Sequence, residues 1–221
     1  MLNKHIITVN PLAENCIVVW DETRECVIFD PGCCNAGEDS AVKDFIASKN
    51  LTPKVILMTH NHFDHSMGVK RLAGFYDIPV RLAPEDDFLM EFDADACRMF
   101  GLTWEGRFDT EAIHDCDKVI FGTHEFEVIT TPGHTPGSVA YYCHSEKLLI
   151  SGDTLFAGAI GRTDLPGGDY DRLMESINGK LMGLEGDVEV IPGHGPATTI
   201  ADERQKNPFL LPFNLPEDAE E

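Results

Sequence analysis

Three histidines and an aspartate fall within six residues in the run Thr59-His60-Asn61-His62-Phe63-Asp64-His65-Ser66. So many polar side chains suit a packed core poorly, because each needs a partner once it leaves water. Imidazole nitrogen and carboxylate oxygen are ordinary ligands for zinc or iron, so metal binding gives the cluster a purpose. Further donors of the same kind follow at His134, Asp153 and His194. The run at residues 54–58 precedes the cluster, and residues 126–130, 148–150 and 188–191 precede the later donors. All four are β-type runs. Seven donors at four strand ends predict a single rim of a sheet structure, and that rim is the expected active site.

One short loop cannot turn four side chains onto a single ion without strain. The cluster is therefore expected to serve two ions: His60 and His62 one of them, Asp64 and His65 its neighbour. His134 and His194 then complete the two sets, and Asp153 can bridge with its carboxylate. Open positions remain for water, as a catalytic site requires. Two ions about 3.5–4 Å apart can share a hydroxide whose parent water has its pKa lowered to around 7. Asp64 and Asp153 are the carboxylates expected to take part in catalysis.

The elements that must hold these donors are legible as patterns. Short strands are predicted at residues 6–9, 16–20 and 26–29, followed by a helix over 38–49 with Val42, Phe45 and Ile46 on one face. Ser66 is placed to cap a helix carrying Val69, Leu72, Ala73 and Tyr76, and residues 80–82 read as a strand. A helix is predicted from Pro84 to about Phe100. The aperiodic segment 101–115 holds Trp104 and Phe108, assigned to core packing with a pocket wall as the alternative. A second meander covers 119–121, 125–130, 139–143 and 148–150. A helix then starts at Asp169 and ends near Gly183, and the last strand and a helix over 199–207 follow. Each half runs from a β meander into helix–strand alternation. That plan predicts an α+β fold in which two sheets pack face to face with helices outside, a four-layer αββα sandwich. One domain is expected over residues 1–209, with an acidic, frayed tail over 210–221.

Composition narrows the partners. The 221 residues include 38 acidic and 17 basic side chains, a formal net charge of -21. Such a chain repels phosphate backbones, so nucleic acid is excluded as a partner. No run approaches the ~20 apolar residues that span a bilayer, so no membrane role is expected. Seven cysteines without a Cys-x-x-Cys pair argue against a disulfide framework and for a reducing cytoplasm. Most of them sit in β-like runs as small core residues; Cys33-Cys34, in a loop, is the pair with a chance of reaching the metal rim. His5, His114, His124 and His144 are solitary and read as surface or satisfied histidines.

The cluster at 59–65, with Pro132-Gly133-His134-Thr135-Pro136-Gly137, Ser151-Gly152-Asp153-Thr154-Leu155-Phe156 and Pro192-Gly193-His194-Gly195, resembles the metallo-β-lactamase superfamily. The Gly-His-Thr-Pro-Gly form is most similar to its short glyoxalase II-like, or hydroxyacylglutathione hydrolase, branch. The resemblance runs from about Asn15 to Phe209. It implies the αββα fold, a dinuclear site and hydrolysis of acyl-glutathione thioesters. It also implies a division of ligands, with His60, His62 and His134 on one ion and Asp64, His65 and His194 on the other. The chain departs from long members of that branch, which add a C-terminal helical domain that helps hold glutathione. Its Gly161-Arg162-Thr163-Asp164 segment resembles short members and also persulfide dioxygenases.

Chemistry favours a small-molecule thioester substrate over an amide or β-lactam, because a thiolate with a conjugate pKa of about 8.5 leaves without prior protonation. Two divalent ions are the expected cofactors, zinc first, with iron or manganese as alternatives. Arg162 is the expected grip on a substrate carboxylate, with a salt bridge to Asp164 or Asp169 as the competing role. The rival activity is a mononuclear Fe(II) persulfide dioxygenase. It would use His60 or His62 with His134 and Asp153, and would leave Asp64, His65 and His194 without a metal. A binding or sensor module without turnover is the remaining alternative.

Overall fold

The computed structural model describes residues 1–211. Residues 212–221, which hold most of the expected acidic tail, lie outside the described residues. The first half builds a six-stranded sheet from β1 (Asn3–Val9), β2 (Glu14–Trp20), β3 (Glu25–Phe29), β4 (Thr52–Leu57), β5 (Val80–Leu82) and β6 (Glu111–Ala112), in that order. The first three strands pair antiparallel, and β3 to β6 pair parallel. The second half forms β7 (Lys118–Phe121), β8 (His124–Thr130), β9 (Val139–Cys143), β10 (Leu148–Gly152), the hairpin β11 (Leu155–Phe156) and β12 (Ala159–Ile160), β13 (Glu189–Pro192) and β14 (Thr198–Thr199). Its six-stranded sheet runs β14-β13-β10-β9-β8-β7, parallel only between β10 and β13.

The unbroken apolar runs of β2 and β3 have a plain cause: both faces of their sheet are covered. Ile17, Val19, Val27 and Phe29 join Phe121, Phe126, Val128, Tyr141 and Ile150 in a cluster between the sheets. The alternate residues Cys16, Val18, Cys26 and Ile28 pack instead with Val42 and Ile46 of α1 (Ala36–Ser48) and with Val69 and Leu72 of a further helix, Val69–Tyr76. On the far side, Ala140, Tyr142, Leu149 and Val190 meet Leu173 of the helix Tyr170–Ser176, Ile177 and Leu181 of the π turn that extends it, and Ile200 of the helix Ile200–Lys206. This is the metallo-β-lactamase fold: two mixed sheets face to face, flanked by helices, in one domain.

Two local expectations change. Ser66 does not cap the helix at 69. It closes the one-turn helix α2 (Phe63–Ser66), while Gly68 stands at the N-terminus of α3 (Val69–Tyr76) without a side-chain cap. The helix expected over 84–100 is a 3-10 segment, Pro84–Glu91, and a separate α4 (Asp93–Met99). The tight 3-10 winding sends Asp86 inward to Asn61, Thr135 and Gly137, and the break at Phe92 frees α4 to take its own direction. Trp104 and Phe108 pack against the helix-side core of the first sheet, as their core assignment had it. Asp169 caps the N-terminus of α5 (Tyr170–Ser176), and Thr199 caps α6 (Ile200–Lys206). No helix among the described residues is long and apolar enough to cross a membrane.

Candidate metal centre

Parallel pairing brings the carboxyl ends of neighbouring strands together. β3 and β4 end side by side, and so do β10 and β13. The two sheets are tied at this same rim. Val139 N donates to Thr59 O at 2.8 Å, Asn15 N donates to Gly193 O at 2.8 Å, and the Tyr141 hydroxyl donates to Met58 O at 2.8 Å. The loops after β4, β8, β10 and β13 therefore converge on one site. Gly152 takes φ +50, and a Cβ there would lie 2.3 Å from Thr59 Oγ1, so the close crossing of the Asp153 and His60 loops requires glycine.

All seven expected donors meet there, in two groups. His60, His62 and His134 place one nitrogen each within 4.8 Å of the others, and so do the donor atoms of Asp64, His65 and His194. His62 Nδ1 lies 2.9 Å from His134 Nε2, and His65 Nε2 lies 3.3 Å from His194 Nε2. Asp153 stands between the groups: Oδ1 is 3.4 Å from His65 Nε2, and Oδ2 is 3.6 Å from both His134 Nε2 and His194 Nε2.

The far side of four rings fixes which nitrogen is free. His134 Nδ1 lies 2.7 Å from Arg162 O, His194 Nδ1 3.1 Å from Leu12 O, and His65 Nδ1 3.1 Å from Asp30 Oδ2. His60 Nδ1 lies 3.0 Å from Thr59 Oγ1, which itself donates to Asp30. An Nδ1–H donated outward leaves Nε2 as a bare lone pair facing the centre, the usual arrangement of a metal-binding histidine. Among the described residues, His60 Nε2, His62 Nε2 and Asp153 Oδ1 are buried without any hydrogen-bond partner. An orphaned buried polar atom costs roughly 1–3 kcal/mol, and divalent cations would satisfy the two groups these atoms belong to.

Electrostatics point the same way. Burial, reinforced by the neighbouring imidazoles, holds His60 well below the usual histidine range, and burial takes His62 down to about 3. Burial also lowers His134. Burial works against charge at His65 and His194 too, but Asp153 and Asp64 outweigh it and raise both. The same attraction outweighs burial at Asp153 and Asp64 and keeps both carboxyls ionised. His60, His62 and His134 are thus already neutral and both carboxylates ionised, the forms that bind a cation, whereas His65 and His194 favour a proton that a cation would displace.

Above the centre lies a cavity of about 440 Å3, lined below by His62, Asp64, His134, Asp153 and His194. Arg162 also lines it, but its guanidinium donates from Nε and Nη2 to Asp164 at 2.7 Å each, so the salt-bridge role is the one observed. Cys33 is buried in the helix-side core, and neither it nor Cys34 lines the cavity. The remaining histidines are accounted for. His5 stacks on Phe45, His124 pairs with Asp21 and Glu146, His144 pairs with Glu127, and His114 is exposed. Sequence reasoning missed Asp30 and Asp86, the carboxylates that anchor the loops, and the cavity wall around Phe63 and α4. Asp30 had one signal, its place in Asp30-Pro31-Gly32 directly after a strand.

The family model of the metallo-beta-lactamase superfamily matches residues 9–194. The chain belongs to that superfamily. It is 37% identical to "Hydroxyacylglutathione hydrolase GloC" of Haemophilus influenzae, over 95% of this chain and 98% of that one. It is 39% identical to "Probable metallo-hydrolase YqgX" of Bacillus subtilis, over 94% and 97%. Among solved structures, the BLEG-1 B3 metallo-beta-lactamase superposes with a TM-score of 0.86 at 38% identity, covering 95% of this chain and all of that one. TTHA1623, solved in a di-iron-bound form, gives 0.83 at 37%, covering 93% and all of it. This superfamily member is a metal-dependent hydrolase with a candidate dinuclear His/Asp centre.

Proposed function

We propose that the chain hydrolyses a small-molecule thioester. His60, His62 and His134 would hold one divalent ion and Asp64, His65 and His194 a second, with Asp153 shared between them. The observation that carries this reading is the pair of donor groups with Asp153 between them and its Oδ1 unpartnered. Five imidazoles and two carboxylates without a thiolate suit zinc and iron alike. When bound, such a pair of ions supplies a water of lowered pKa as nucleophile and a Lewis acid for the carbonyl oxygen. The chain's own part is placement. Asp30 and Arg162 O fix the rings of His65 and His134, Asp153 keeps its charge between the groups, and the cavity sets the substrate over them. A thiolate leaving group needs no protonated side chain, so a floor given over to metal ligands suffices for it. Residues 1–209 form the hydrolase domain in this reading, and the partner is a small molecule.

The test is turnover of an acyl-glutathione thioester and an uncharged acyl thioester by protein of measured metal content. Two divalent ions per chain and hydrolysis of at least one substrate are the expected result. One tightly held iron per chain, with sulfur-dependent oxygen uptake and no hydrolysis, would overturn it in favour of the persulfide dioxygenase chemistry.

A further inference from the structure

The wall of the cavity is unlike its floor. Phe63, Leu89, Phe92, Ala96, Met99 and Phe100 face the donor set across about 440 Å3. Three of them stay open to solvent: Met99 is 84% exposed, Phe100 50% and Phe92 47%. The Phe63 and Phe100 rings stack at 5.4 Å, which makes the patch continuous from α2 to the end of α4. A contiguous exposed apolar patch beside convergent polar groups is the common form of a small-molecule site.

Charge in the lining is equally one-sided. Outside the donor set the charged residues are Asp93 and Arg162, and the Arg162 fork is occupied by Asp164. Asp93 is only 3% exposed, and its Oδ2 has no hydrogen-bond partner among the described residues. Burial, with Asp64 nearby and Arg107 opposing, pushes its carboxyl up to about 8. Arg107 itself pairs with Asp87. A glutathione thioester brings two carboxylates and one ammonium to this cavity, and among the described residues no free cation in the lining receives the carboxylates. A neutral arm loses nothing there, and an amide N–H on it can donate to the unpaired Asp93 oxygen.

We infer that the site selects thioesters whose arms are uncharged and mainly apolar, seated on Phe63, Phe92, Met99 and Phe100, over thioesters of glutathione. This selectivity rests on the thioester reading for its chemistry, but binding alone can test it. The metal-loaded full chain is titrated by calorimetry with two non-hydrolysable thioethers, S-hexyl-N-acetylcysteamine and S-hexylglutathione. The uncharged ligand is expected to bind at least about tenfold more tightly, with the gap narrowing between low and high salt as repulsion is screened. Equal or tighter binding of the glutathione ligand overturns the inference. Met99→Ser and Phe100→Ser are expected to weaken the hexyl ligand more than its ethyl counterpart, and equal losses for both overturn the wall assignment. The matching hexanoyl thioesters separate the two claims. If the neutral thioether binds tightly and neither thioester is hydrolysed, thioester hydrolysis falls while the pocket's preference stands.

Discussion

The floor and the wall of this cavity are built on opposite principles. The donors on the floor follow strand ends directly, in loops and the one-turn helix α2, and four of their rings are held from behind by Asp30, Thr59 or a main-chain carbonyl. The wall comes from a 3-10 segment and a seven-residue helix, and its outermost side chains are in water. Placement within a fraction of an ångström requires the first kind of construction, because a loosely held ligand loses its geometry. Recognition of an apolar arm tolerates the second, because dispersion and desolvation have little directionality. Chemistry should therefore be sensitive to small changes on the floor, and selectivity to changes on the wall.

The largest expected effect is at the centre of the floor. Asp153→Ala should lose at least one metal ion per chain and about a thousandfold in kcat/KM, roughly 4 kcal/mol of transition-state stabilisation. Metal analysis beside kinetics checks it, and a variant with full activity would remove Asp153 from the shared position. A milder perturbation follows from Gly193. A Cβ at this position would lie 2.2 Å from Asp153 Oδ1 and 2.6 Å from His65 Cε1. Gly193→Ala should cost about ten- to a hundredfold in metal affinity or activity, the range seen when groups supporting metal ligands are disturbed. If the variant is destabilised yet keeps its metal affinity and rate, the floor is less exacting than the comparison requires.

Much of this division was legible before any coordinates, and the rest was not for definite reasons. The donors His60, His62, Asp64, His65, His134, Asp153 and His194 stood out because polar residues directly after apolar runs need a purpose. The strands were legible because their runs are short and bounded by turns. Asp86 was invisible as an anchor because its partner Gly137 is 51 positions away, and only the packed chain brings them together. The break at Phe92 was hidden for a related reason. Its apolar spacing suits one long helix, and the inward pull on Asp86 that winds the first half tighter is tertiary. Arg162 was read for its charge, and its guanidinium does pair with Asp164, but its main-chain carbonyl, which no side-chain reasoning reaches, also holds His134.

Asp93 sharpens the comparison with a smaller, pH-dependent effect. Among the described residues it is the one carboxyl embedded in the wall, and its folded pKa of about 8 exceeds the ordinary aspartate value near 4. The folded state therefore holds its proton more tightly than the unfolded chain does. That contribution is complete below about pH 4 and is lost progressively as pH rises to about 8. Asp93→Asn removes the loss. In chelator-treated protein, thermal melts should show the variant gaining on the order of 1–2 kcal/mol at pH 8, a few degrees in Tm, and nothing at pH 4. A gain that is equal at both pH values would mean that the wall bears no burial cost at this position.

The smallest expected effect, at Phe100, is read against a large one by making the same truncation in both regions. Phe29 is fully buried between the sheets, with Phe126 and Tyr141 each edge-on at 5.2 Å, so Phe29→Ala leaves a cavity and should cost about 3–5 kcal/mol. Phe100 is half exposed and contributes one stacked ring to the wall. Phe100→Ala should change stability by no more than about 0.5 kcal/mol, as substitutions outside packed regions do. Denaturant titration of both variants at one pH gives the contrast directly. If Phe100→Ala costs as much as a buried position, the wall is part of the folded core, and its exposed apolar surface has a structural use instead of a recognitional one. A near-neutral result means the fold does not need that ring, which leaves contact with a ligand as the physical reason for a phenylalanine in water beside the metal centre.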